Sequence, residues 1–247
     1  MLLNCDLGES FGSWCMGMDA EVMPHIDLAN IACGFHAGDP MIMASTIALA
    51  KACRVRIGAH PAYPDLVGFG RRSMQLSGEE LHASLLYQIA ALDGMAASAG
   101  VSIEYVKPHG ALYNDMMADD GIRETVMTAV ASYHRPLKLM MLATAEQATH
   151  REAAAEHALD LLFEAFADRC YDDHGRLRSR RLPGAVHDRD SMLEQVAGLL
   201  RDGCVTTDSG RQLQLQAETL CVHGDNPEGV AAIQEIRALV DQWATTC

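Results

Sequence analysis

The chain of 247 residues is 49% hydrophobic and 21% charged, which excludes disordered and fibrous classes and leaves enough apolar surface to build a core without staples. Its net charge of −14 excludes a nucleic-acid partner, because phosphate binding needs clustered Lys and Arg. The one basic cluster, Arg176, Arg178, Arg180 and Arg181, is too short for a duplex-binding face.

The chain opens Met-Leu-Leu-Asn-Cys-Asp, with neither the basic nor the apolar region of a leader peptide. No stretch reaches the ~18 apolar residues of a membrane span, so a cytoplasmic chain with no membrane partner is expected. Apolar runs at 2–5, 28–33, 55–59, 103–106, 137–142, 159–163 and 219–222 read as buried strands. Segments of helical period lie between most of them. Asp39-Pro40 and Asn226-Pro227 each place an N-cap before a proline at the first helical position. Ser77-Gly78-Glu79-Glu80 reads as a capping box opening a helix to about residue 99. Further helices are predicted over 120–133, 145–157 and 189–201. Two regions break the rhythm. Residues 168–187 read as a long loop holding the four arginines, and 205–217 alternate around Asp208-Ser209-Gly210 as a β-hairpin set before the last strand.

Strand–helix alternation implies an α/β fold with a mostly parallel sheet. About seven units in one chain suggest a closed or nearly closed barrel, expected as one domain over 1–247. The cysteines, Cys5, Cys15, Cys33, Cys53, Cys170, Cys204, Cys221 and Cys247, form no CxxC pair and no zinc-finger spacing. Reduced thiols packed as small hydrophobes are expected.

Nearly every predicted strand ends in a polar cluster. The clusters are Asp6 with Glu9; His36 with Asp39; His60 with Tyr63 and Asp65; Lys107 with His109 and Asn114; Glu164 with Asp168 and Arg169; and His223 with Asp225. In parallel α/β folds the carboxyl ends of the strands are where active sites form. Taken singly, His36 fits a hydrogen-bonded structural histidine, and Asp39 and Asn226 fit helix caps. Lys107 differs: directly after an apolar strand it is expected to be partly buried, needing a carboxylate partner or a substrate anion. His82, His134, His150, His157 and His174 lie away from strand ends and read as surface or packing residues. No phosphate-binding G-x-x-x-x-G-K-[ST], no G-x-S-x-G and no H-E-x-x-H occurs. Gly68-Phe69-Gly70-Arg71-Arg72 is glycine-rich but matches neither a phosphate loop nor a dinucleotide fingerprint. Asp6, His36, His60, His109 and His223 suit Zn²⁺ or Mn²⁺ chemically, and spacing alone leaves a divalent metal open.

The motifs DLGESFG (6–12), NIACGFHAGDP (30–40), IGAHPAYPDLVGFGRR (57–72), VKPHGALYN (106–114), EAFADRCY (164–171) and CVHGDNP (221–227) together resemble the LamB/YcsF lactam-utilisation family, over nearly the whole chain. Its members are described as the A subunit of the prokaryotic 5-oxoprolinase. The resemblance implies a distorted (β/α) barrel of glycoside hydrolase/deacetylase type and ATP-dependent cleavage of 5-oxoproline to glutamate with subunits B and C. With no phosphate loop in this chain, ATP is expected to bind mainly through those partners. On this reading Asp6, Glu9, His36, His60, Lys107, His109, Glu164 and His223 are the catalytic set. Asp6 or His60 is the base, and Lys107 and His109 are electrostatic stabilisers. Asn30, Asp39, Tyr63, Asp65, Arg71, Arg72, Asn114, Asp168, Arg169 and Asp225 hold the substrate, with Arg71 or Arg72 clamping its carboxylate. Two departures stand out: Gly175-Arg176-Leu177-Arg178-Ser179-Arg180-Arg181, where the family reads close to G-x-L-x-x-R-S, and Asn226 where a Thr is common. Two other readings remain open: a stand-alone metal-dependent deacetylase or amidohydrolase, and a non-catalytic subunit that only binds the lactam.

Overall fold

A computed structural model describes residues 1–223 and 227–246. Seven parallel strands close into a barrel: β1 (Leu2–Leu7), β2 (Leu28–Ala32), β3 (Arg56–His60), β4 (Ile103–Val106), β5 (Lys138–Leu142), β6 (Leu161–Phe166) and, after the hairpin β7 (Cys204–Thr206) and β8 (Gln212–Gln214), β9 (Thr219–Cys221). Closure is made by β9, which pairs β6 through Glu164↔Thr219 and β1 through Asn4↔Cys221. Each predicted strand is present. The antiparallel hairpin β7–β8 stands outside the barrel, with Val205 opposite Leu213.

The helices are α1 (Asp19–Val22), α2 (Pro40–Cys53), α3 (Gly78–Ser98), α4 (Gly110–Ala118), α5 (Asp120–Ala131), α6 (Gln147–Glu156), α7 (Arg189–Asp202) and α8 (Pro227–Thr246). Two cap predictions hold. Asp39 accepts from the amides of Met41 and Ile42 with Pro40 at the first helical position, and Ser77 and Glu80 form a reciprocal capping box. The Asn226 cap and Asp225 lie outside the described residues. Two helices escaped the sequence reading. The short α1 has too few residues for a periodic signal, and α4 begins directly after Pro108-His109, which reads as a breaker. Among the described residues no helix is long and apolar enough to cross a membrane.

Side-chain alternation divides the strands between two environments. Leu161, Phe163 and Ala165 of β6 join the large cluster between barrel and helices, whereas Leu162 packs with Leu2, Leu28, Tyr105 and Met140 inside the barrel. That inner plug sits toward the amino ends of the strands. Gly58 makes room for it, since a Cβ there would come within 2.2 Å of the Tyr105 ring.

Alternation also corrects one placement. The sixth strand runs to Phe166 rather than ending at 163, so Glu164 is an inward-facing strand residue rather than a rim residue. An apolar-run reading stops at the first charge, and here that charge points into the barrel.

Candidate active site

Above the plug the inward positions turn polar. Asn4 and Asp6 on β1, Asn30 on β2, Glu164 on β6, Thr219 on β9 and Lys107, just past β4, form one buried network. The Lys107 ammonium lies 2.9 Å from Asp6 Oδ1 and 3.0 Å from Glu164 Oε2, with Lys107 2% and Glu164 0% exposed. It also donates to Asn4 Oδ1 at 3.3 Å and Cys221 Sγ at 3.2 Å. Asn30 donates to Asn4 and Asp6, each at 2.8 Å, and accepts from the Tyr105 hydroxyl at 2.6 Å. Asn4 donates to Glu164 and Thr219. Burial works against the Lys107 charge, but Asp6 and Glu164 more than offset it and hold the ammonium well above its ordinary value. Burial likewise opposes the Asp6 carboxylate, but the adjacent Lys107 ammonium helps hold it well below the usual range.

The next layer is a histidine cluster. His60 ends β3 and its Nδ1 donates to the Lys107 carbonyl at 2.6 Å, because a carbonyl oxygen only accepts. His109 Nε2 donates in the same way to the Phe69 carbonyl at 2.9 Å. With both rings neutral, the opposite nitrogens, His60 Nε2 and His109 Nδ1, are the lone-pair sides and lie 3.0 Å apart. Glu9 Oε1 lies 3.3 Å from His109 Nδ1, 4.0 Å from His60 Nε2 and 3.1 Å from His36 Nε2. Asp6 Oδ2 is 3.4 Å from His60 Nε2. Burial, reinforced by the neighbouring imidazoles, holds His36 and His109 well below the ordinary histidine value.

The turn at 68–71 supports this layer. Phe69 adopts a φ of 55°, a left-handed conformation that costs a non-glycine residue about 1–3 kcal/mol. It aims its carbonyl at His109 and packs its ring edge-on against His36 and His109. At Gly70 a Cβ would meet His36 at 2.8 Å and His109 at 2.9 Å; at Gly110 it would meet the Gly70 carbonyl at 2.5 Å. Glycine is required at both positions for the two turns to touch.

Across the mouth, His223 Nδ1 lies 2.9 and 3.0 Å from the two oxygens of Asp168, and its Nε2 is 3.9 Å from Asp6 Oδ2. Burial would raise the Asp168 carboxyl, but His223, Arg180 and Arg169 hold it below its usual value. An acceptor on Nδ1 fixes the tautomer and leaves Nε2 available for proton transfer.

These groups line a cavity of about 430 Å³, within the range of small-molecule sites. Its floor carries Asp6, Glu9, His60, Lys107, His109 and His223, and its wall carries Arg71, Asn114, Arg169, Arg178, Arg180 and Arg181. The 168–187 loop folds over the mouth, held by His187 N to Asp168 O and Arg178 N to Cys170 O, each at 2.9 Å. Burial and the nearby Arg180 lower Arg169 to about 10.

Not every predicted site residue reaches this cavity. Glu164 and Asn30 lie beneath its floor. His36 stacks behind His109, with ring centroids 3.8 Å apart and planes 6° from parallel. Asp39 spends its oxygens on the α2 amides and on Gly12 N. Asp65 pairs with Arg72 and accepts from Gly68 N, so Arg71, stacked over the Phe69 ring at 4.8 Å, is the arginine of that pair that faces the cavity. The Tyr63 hydroxyl donates to Asp115 at 3.1 Å. Asp168 stands behind His223. Missed by the sequence reading were Asn4, Thr219 and Cys221 in the network, and Gln88, whose side chain pins both backbone groups of Ala62 at 2.9 Å. The available signal was spacing by two: Asn4 and Asp6; Tyr105, Lys107 and His109; Thr219, Cys221 and His223. Of the five histidines read as surface or packing, His150 is buried in α6.

Comparison with known proteins agrees with this architecture. Residues 1–247 match the LamB/YcsF family. A Pseudomonas putida protein named as a 5-oxoprolinase A subunit is 59% identical over 242 residues, covering 98% of this chain and 94% of that protein. A Pseudomonas fluorescens protein of the same name is 56% identical over 243 residues, covering 98% and 97%. The crystal structure of a lactam utilization protein from Thermus thermophilus superposes with a TM-score of 0.89 at 37% identity, covering 99% of this chain and 97% of that one.

Proposed function

This chain belongs to the LamB/YcsF family, and from that premise we propose that it is the A subunit of an ATP-dependent 5-oxoprolinase, opening 5-oxoproline to glutamate together with subunits B and C. One observation carries the reading. The cavity joins an oriented Asp168–His223 pair and a Lys107–Asp6 ion pair on its floor to an arginine wall, which is what a small anionic lactam requires.

Ring opening needs water added at the lactam carbon and a proton delivered to the departing nitrogen. His223 Nε2, its tautomer set by Asp168, takes the water proton and returns it to nitrogen. His60 and His109 are poorly suited to that work because each commits its N–H to a carbonyl. Asp6 is a weak base because its carboxylate is held by the Lys107 ammonium at 2.9 Å. Arg71 and Arg169 clamp the free carboxylate of the substrate. ATP transfers its γ-phosphoryl to the lactam oxygen and leaves as ADP. Ring opening then yields a γ-glutamyl phosphate that a second water hydrolyses to glutamate and phosphate. ATP binds mainly through the partner chains, consistent with the lack of a phosphate loop in this one.

The test is glutamate release from 5-oxoproline and ATP, with this chain alone and with subunits B and C. Glutamate is expected only from the complete set. His223→Gln in that set is expected to lower kcat by about 10²–10⁴-fold with little change in KM. ATP-independent hydrolysis by the chain alone would replace this reading with a stand-alone amidohydrolase. Loss of affinity without loss of turnover in the His223 variant would replace it with a purely binding role.

A further inference from the structure

We propose that Glu9, His60 and His109 form a binding site for one divalent transition-metal ion of the zinc class, its open coordination position facing the cavity. Lys107 O fixes the proton of His60 on Nδ1, and Phe69 O fixes that of His109 on Nε2. The two remaining nitrogens carry lone pairs, yet they sit 3.0 Å apart and share their space with Glu9 Oε1 at 3.3 and 4.0 Å. Electron-pair donors that face one another in a buried site repel unless a cation lies between them.

The separations fit such an ion. Ligand bonds of about 2.0–2.1 Å in tetrahedral geometry place donor atoms about 3.3 Å apart. The three observed separations, 3.0, 3.3 and 4.0 Å, bracket that edge. The His60 and His109 planes stand at 90°, so their in-plane lone pairs can meet at one point. His36 cannot complete the set together with His109, because their rings are parallel and 3.8 Å apart and parallel planes share no point. Its place is outside the ion, donating from Nε2 to Glu9 Oε1 at 3.1 Å and so orienting the carboxylate, as outer-shell partners do. Two imidazoles and one carboxylate select a transition metal over Mg²⁺ or Ca²⁺, which take oxygen ligands. Three protein ligands that all line the cavity leave room for water or substrate, the arrangement of catalytic rather than structural sites. An ion held there would polarise a bound carbonyl. The site stands apart from the lactam reading, since binding is measured on this chain without substrate, ATP or partners.

The experiment is titration of the full chain, stripped by chelator, with Co²⁺. The expected result is one equivalent bound with a visible d–d band, abolished by Zn²⁺ but not by Mg²⁺, and a higher Tm with Zn²⁺ than without. Glu9→Gln and His109→Gln are expected to lose the band, and His36→Gln to bind about 10–100-fold more weakly, each checked for folding by circular dichroism. Should His109→Gln fail to fold, the near-isosteric Glu9→Gln decides. A folded wild-type chain that binds no Co²⁺ would overturn the site and leave a shared proton between the two imidazoles. So would a band that survives in Glu9→Gln.

Discussion

The two ends of one barrel follow opposite rules. Toward the amino ends of the strands the inward positions hold Leu28, Tyr105 and Met140, an apolar plug. Two residues further along, Asn4 follows Leu2, Asn30 follows Leu28, Lys107 follows Tyr105 and Glu164 follows Leu162, and with Asp6 they form a buried network built around full charges. Burying apolar side chains stabilises a barrel at no electrostatic cost. Burying Lys107 between two carboxylates is seldom the most stable solution, because desolvation consumes most of the Coulombic gain. The plug therefore reads as the part that holds the barrel closed, and the network as the part that holds chemistry in place.

Three substitutions test that division, beginning with the largest effect. Lys107→Met leaves Asp6 and Glu164 facing each other without a cation. Loss of one partner of a buried pair costs about 3–5 kcal/mol, so a large drop in Tm and loss of glutamate release by the assembled enzyme are expected together. A stable variant with undiminished turnover would break the distinction between the two ends. Met140→Ala probes the plug. A cavity of that kind costs about 2–5 kcal/mol, and denaturant unfolding should show the loss while kcat per folded molecule stays near wild type. A comparable fall in kcat at full folding would show that the ends are coupled. The smallest effect belongs to the residue that joins them. Tyr105 packs its ring in the plug and donates its hydroxyl to Asn30, so Tyr105→Phe keeps the packing and orphans one acceptor. About 1–3 kcal/mol is expected by chemical denaturation, with a Tm change smaller than that of Met140→Ala.

Much of this was legible in the residues. Apolar runs located all seven barrel strands, and the polar clusters after them supplied most of the cavity floor. Asp39-Pro40 and Ser77–Glu80 announced their helices through local chemistry, which needs only neighbours in sequence. What failed was depth. The strand-end clusters put Glu164 at the rim and it lies below it, and Asn30, a substrate-binding candidate, also lies beneath the cavity floor, because apolar-run patterning marks where a strand is and not which way each side chain points. Arg71 and Arg72 were interchangeable in sequence; the pairing of Arg72 with Asp65 separates them.

The sequence by itself determined the alternation of strand and helix and the delivery of ionisable groups to one end of a parallel sheet, since both follow from local periodicity. Only the tertiary structure decided which of those groups meet. β9 closes the barrel against β1 and brings His223 to Asp6, more than two hundred residues apart in the chain. The tautomer of His109 is set by a carbonyl 40 residues away, presented by a strained turn. Contacts at such separations depend on register and closure, and no local pattern encodes them.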